Sequence, residues 1–76
     1  MPDVPVIKGK ELIRILEMLG FEIIRVRGSH YRMKHPDGRI TTVPLHGNKD
    51  LPKGLIRTII KEDLEISVES FIELIK

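Results

Sequence analysis

The residue types able to do chemistry are concentrated in one short stretch, Arg25-Val26-Arg27-Gly28-Ser29-His30-Tyr31-Arg32-Met33-Lys34. A histidine directly after Gly-Ser, at the start of an alternating segment, is expected to be exposed yet held by rigid backbone. Arg25, Arg27, Arg32 and Lys34 flank it. Period-2 alternation predicts that Arg32 and Lys34 share its face of a strand, with Tyr31 and Met33 on the other. A neutral imidazole can accept a proton from a ribose 2′-hydroxyl, and the oxygen so activated attacks the adjacent phosphorus. Nearby cations bind the backbone and stabilise charge developing on the non-bridging oxygens. The chemistry suggested is phosphodiester cleavage without a metal. His30 is the candidate catalytic residue, and Arg25, Arg27, Gly28, Ser29, Arg32 and Lys34 are candidate RNA contacts. The plain alternative is a surface histidine that happens to sit among arginines.

Other candidates are weaker. Ser29 has no His/Asp order around it that suggests a triad, so it reads as a turn former. The spacings of His30, His35 and His46 match no metal motif, and no metal is expected. His35, just before the turn residue Pro36, reads as a solvated strand end. His46 lies in the loop Pro44-Leu45-His46-Gly47, where it is either an RNA contact, a second proton-transfer group or incidental. Lys53 and Arg57 begin a basic stripe that continues to Lys61, and both are candidate RNA contacts. The glycines match neither a dinucleotide nor a P-loop fingerprint, so no nucleotide cofactor is expected.

The 76 residues make a single domain, because a chain this short cannot build two cores. Hydrophobic residues are 41% of it, which is enough for one core if nearly every aliphatic side chain is used. The few aromatics, Phe21, Tyr31 and Phe71, argue against an RNA-binding sheet built on stacked rings. With no cysteine, disulfides, thiolate zinc sites and thiol nucleophiles are excluded. No apolar run approaches the roughly 20 residues that span a bilayer, and the N-terminus lacks the pattern of a signal peptide. A cytoplasmic protein with no membrane partner is the expectation. The net charge is only +2, but residues 24–61 carry nine Lys/Arg against two Asp/Glu, whereas residues 62–76 carry one against five. So basic a middle segment suggests a polyanion-binding surface, with a solvated lysine-rich surface as the alternative.

The elements that must position these residues follow from periodicity. Residues 1–8 read as a flexible lead-in. Leu12, Ile15, Leu16 and Leu19 form the apolar stripe of a helix over 9–19, closed by Gly20 as a C-cap glycine. Residues 21–27 read as a strand, 30–35 as a second after the Gly28-Ser29 break, and 39–43 as a third after the Pro36-Asp37-Gly38 turn. Asp50 is the expected cap of a second helix whose buried face is Leu55, Ile56, Ile59 and Ile60. Ser67 is the expected cap of a last helix carrying Val68, Phe71, Ile72 and Ile75. The predicted class is α+β: a helix, three antiparallel strands and two helices.

Taken together, these segments resemble the HicA family of toxin–antitoxin ribonucleases over nearly the whole chain. The carriers are Leu19-Gly20-Phe21, Arg25 with Gly28-Ser29-His30, His35-Pro36-Asp37-Gly38, Val43-Pro44-Leu45-His46-Gly47, and Lys53-Gly54 with Ile59. The resemblance implies a fold like a double-stranded-RNA-binding domain, with helices on one face of a three-stranded antiparallel sheet. It implies an endoribonuclease that degrades single-stranded mRNA and arrests growth, with His30 as the catalytic residue. It further implies a HicB-type antitoxin partner that covers this histidine or blocks access to it. Two departures stand out: Glu65, where the family often has glycine, and Arg32, where it commonly has an apolar residue. A non-catalytic double-stranded-RNA-binding module is the alternative that the basic segment and the element order support equally well.

Overall fold

The computed structural model describes residues 3–76. In chain order they form α1 (Gly9–Met18), β1 (Glu22–Arg27), β2 (His30–Lys34), β3 (Ile40–Pro44), α2 (Lys53–Thr58), a π turn (Ile59–Asp63) and α3 (Val68–Ile75). The strands make one antiparallel sheet in the order β1-β2-β3. Met33 and Val43 on its inner face join the core with residues of all three helices, so the expected α+β architecture is the one adopted.

The start of α1 is set by Glu11, whose carboxylate accepts the Lys8 backbone N–H at 3.1 Å. Its end is a Schellman closure, in which Gly20 N–H donates to the Glu17 carbonyl and Phe21 N–H to that of Leu16. Gly20, at φ +101°, supplies the left-handed residue that this closure needs. The first turn of α1 rests on the end of β3. A Cβ on Gly9 would lie 2.5 Å from the Pro44 carbonyl oxygen, so only glycine allows this approach. The docking buries Gly9, Leu12, Ile13 and Leu16 and leaves Ile15 and Leu19 half-buried, a small rotation of the expected stripe.

Two sequence expectations are corrected by packing. Residues 3–8 are part of the folded unit rather than a flexible lead-in: Val4 and Ile7 are buried, and Leu51 N–H donates to the Ile7 carbonyl at 2.8 Å. Met1 and Pro2, the remainder of that expected lead-in, lie outside the described residues. Asp50 does not cap α2, because its carboxylate is taken by the Lys8 ammonium at 2.9 Å; Pro52 stands at the cap position instead.

The second helix was expected to run on regularly, but it widens into the π turn after Thr58. Leu64 N–H reaches back five residues to the Ile59 carbonyl. A regular α-helix would centre Asp63 on the face that buries Ile56, Ile59 and Ile60. The wider turn brings Leu64 inward and leaves Asp63 at the edge, where it accepts the Thr41 hydroxyl at 2.9 Å. Glu65 then reverses the chain at φ +58°. Ser67 caps α3 as expected, accepting the Ser70 N–H at 3.0 Å.

His35 is not a solvated strand end. Its Nδ1 lies 3.1 Å from the Asp37 backbone nitrogen and 3.0 Å from the Asp37 carboxylate, and its Nε2 lies 3.1 Å from the Leu19 carbonyl oxygen, so both ring nitrogens are engaged. The ring meets Phe21 edge-on, and Arg39 stacks over the same phenyl group while donating to the Leu64 carbonyl. The Arg39 backbone N–H holds the Asp37 carboxyl below the usual carboxylate range, with help from the Arg39 guanidinium. One histidine thus ties the end of α1 to the β2–β3 turn.

Two outcomes are expected in thermal unfolding. Glu65→Gly removes the left-handed strain of an L-residue and raises stability by about 0.5–1 kcal/mol, the glycine's extra unfolded-state entropy offsetting part of the relief. His35→Ala leaves the Leu19 carbonyl without its partner and lowers stability by about 1–3 kcal/mol.

Candidate functional site

The site is built on the outer face of the sheet, away from the helices. Arg27 and His30 close a two-residue hairpin around Gly28-Ser29. Gly28 alone of the two turn residues has positive φ, +57°, which makes this a type II′ turn with glycine at its first central position. That turn places His30 opposite Arg27 on one side, and the β2–β3 register places it opposite Pro44 on the other. Leu45 N–H donates to the Ser29 carbonyl at 2.7 Å, so the ladder continues past His30 to the turn. The histidine backbone is therefore held from both sides while its side chain is exposed.

The same register sets out rows across the outer face. The first is Arg27, His30 and Pro44; the second is Arg25, Arg32 and Thr42; the third is Glu22, Lys34 and Ile40. A bulge at Ile24 in β1 shifts the register by one residue beyond the Arg25–Arg32 pair, so that Glu22 rather than Ile23 meets Lys34. Arg25, Arg27, His30, Arg32 and Thr42 line one shallow, open concavity of about 140 Å³. Among the described residues, no carboxylate lies within ion-pair distance of these three arginines. Arg25 and Arg32 stand directly opposite each other, a cross-strand pairing of like charges that costs stability. A face arranged in this way attracts an anion, and the imidazole lies at its margin.

The candidates from sequence divide accordingly. Arg25, Arg27, Arg32 and His30 come together. Gly28 and Ser29 form the turn beside them without lining the concavity. Lys34 is on the same face but two rows from His30, in a separate depression with Glu22, Ile24, His35 and Pro36. His46 is exposed in the loop that leaves β3, outside the concavity. Lys53 and Arg57 are engaged by Asp3, at 2.7 and 3.3 Å, and Lys53 draws the Asp3 carboxyl below its usual range. Thr42 was missed. Its signal was present in the alternation of β3, but only the β2–β3 register shows that it faces Arg32.

Among the described residues, no group of three His, Cys, Asp or Glu side chains is arranged to hold a metal ion, so His30, His35 and His46 form no such cluster. No helix of the described residues is long and apolar enough to cross a membrane.

The family model described as the HicA toxin of bacterial toxin–antitoxin matches residues 9–63, from the first residue of α1 to the last of the π turn. No curated protein matches the chain.

The opposed guanidiniums have a measurable consequence. Arg32→Thr is expected to raise stability by about 0.5 kcal/mol at low ionic strength, with the gain shrinking as salt screens the repulsion; thermal unfolding at two salt concentrations measures it.

Proposed function

The chain belongs to the HicA toxin family, and on that premise we propose that it is a metal-independent endoribonuclease that cleaves mRNA through His30. The observation that carries this reading is one exposed imidazole on a central strand, beside three guanidiniums that have no carboxylate partner among the described residues. In the proposed reaction, neutral His30 removes the proton from a ribose 2′-hydroxyl. The 2′-oxygen attacks the neighbouring phosphorus, the bond to the 5′-oxygen of the next nucleotide breaks, and a proton is delivered to that oxygen. The products are a 2′,3′-cyclic phosphate and a free 5′-hydroxyl. Arg27, paired with His30 across the turn, holds the non-bridging oxygens and stabilises the charge that grows there, while Arg25 and Arg32 add to the positive field that draws the strand onto this face. General-base catalysis supplies about 10²–10⁴-fold of the acceleration.

Loss of mRNA in the cytoplasm explains a toxin's effect on growth. A HicB-type antitoxin that covers the outer face of the sheet would neutralise it by denying RNA access to His30. Gly28 and Ser29 in the turn beside the concavity, Lys34 two rows along the same face, and His46 in the loop after β3 are proposed as secondary RNA contacts. Lys53 and Arg57 become available for RNA only when Asp3 releases them.

The test is incubation with a defined single-stranded RNA in EDTA, followed by mapping of the ends. Fragments ending in 2′,3′-cyclic phosphate are expected, and His30→Ala should lower the rate at least about 100-fold without lowering the unfolding temperature. Expression of the wild type, but not of His30→Ala, should arrest growth. Fragments carrying a 5′-phosphate would overturn the mechanism. A band shift without any cleavage would instead favour a non-catalytic RNA-binding module.

A further inference from the structure

The concavity extends one row beyond His30. Arg25, Arg32 and Thr42 stand side by side across the three strands, two residues along β2 from the row of Arg27, His30 and Pro44. All three line the same concavity as His30. Two residues of strand cover about 7 Å. That length is close to the phosphate-to-phosphate step of an extended single strand. In the second row two guanidiniums face each other, and among the described residues neither has a carboxylate partner. Thr42, exposed at the β3 end of the row, adds a hydroxyl able to donate to an oxygen that the arginines leave free. One row further on, Glu22 opposes Lys34, so that row carries no net positive charge.

We propose that Arg25, Arg32 and Thr42 form a second phosphate subsite, one nucleotide away from the phosphodiester presented to His30. This deepens the ribonuclease reading and rests on it. The substrate strand then lies along β2, with the scissile phosphate against the Arg27–His30 row and its neighbour held between the two opposed guanidiniums. The anion separates the like charges and restores the electrostatic balance of the row. Arg32 and Thr42 become determinants of how this chain grips the flanking nucleotide.

The experiment uses the full chain and a 2′-O-methyl oligonucleotide carrying a single ribonucleotide, so that only one linkage can be cleaved. Two further substrates replace the phosphate one step to the 5′ or 3′ side of that linkage by a neutral methylphosphonate. In the wild type, one of these replacements is expected to lower kcat/KM about tenfold or more, since a charge-assisted contact is lost, and the other to have little effect. Arg32→Ala should lose a similar factor on the parent substrate and respond less than about twofold to the same replacement. Thr42→Val should lose about threefold, with Thr42→Ser restoring most of it. If both neutral linkages are tolerated by the wild type, or if Arg32→Ala remains as sensitive as the wild type, the subsite is wrong. If the parent oligonucleotide and longer RNAs are not cleaved at all, the ribonuclease reading fails instead. Thermal unfolding confirms that each variant is folded.

Discussion

The register imposed by the Gly28-Ser29 turn is the constraint from which the rest of the molecule follows. Side chains alternate along a strand, so a slip of one residue in β2 would turn His30 and Arg32 into the core and expose Met33. The two-residue turn prevents this by pairing Arg27 with His30, and glycine at the first central position gives it the twist that the strands require. The same alternation commits Met33 and Val43 to the core, both completely buried. Apolar burial on one face and presentation of the imidazole on the other are two consequences of one register.

Charge is divided between holding the fold and leaving a surface unsatisfied. Lys8, Arg39, Lys53 and Arg57 each have a carboxylate partner, and all four also tie together segments distant in sequence. Arg25, Arg27 and Arg32 have none among the described residues and crowd onto adjacent strands. A stable fold gains nothing from guanidiniums facing each other, and such local conflict is what the proposed RNA site would account for. The histidines divide in the same way. His35 has both ring nitrogens engaged and packs on Phe21, whereas His30 stands exposed among cations.

So small a domain has little margin, and its economy shows in the contacts that join elements. The N-terminal segment contributes Val4 and Ile7 to the core, the π turn brings in Leu64, and Gly9 lets α1 touch the backbone of β3. That last contact also braces Pro44, the residue opposite His30. The helices therefore do more than cover one side of the sheet, since they stiffen the strand end from which the imidazole projects.

Much of this was legible in the amino-acid order, because the signals are local. Periodicity marked α1, the three strands and α3; Gly20 and Ser67 marked helix ends through their own backbone and side-chain chemistry. The Gly-Ser-His-Tyr-Arg alternation put His30 and Arg32 on one face. Tertiary structure alone decided the rest, because it depends on which distant groups meet. Asp50 was captured by Lys8 rather than capping a helix, and Asp3 engaged Lys53 and Arg57, which a helical stripe had presented as free cations. His35 found a carbonyl 16 residues away, and Thr42 entered the concavity only through the β2–β3 register. Sequence determines which faces are apolar and where the chain turns; the long-range pairing of those faces determines which charges are spent on the fold and which remain for a ligand.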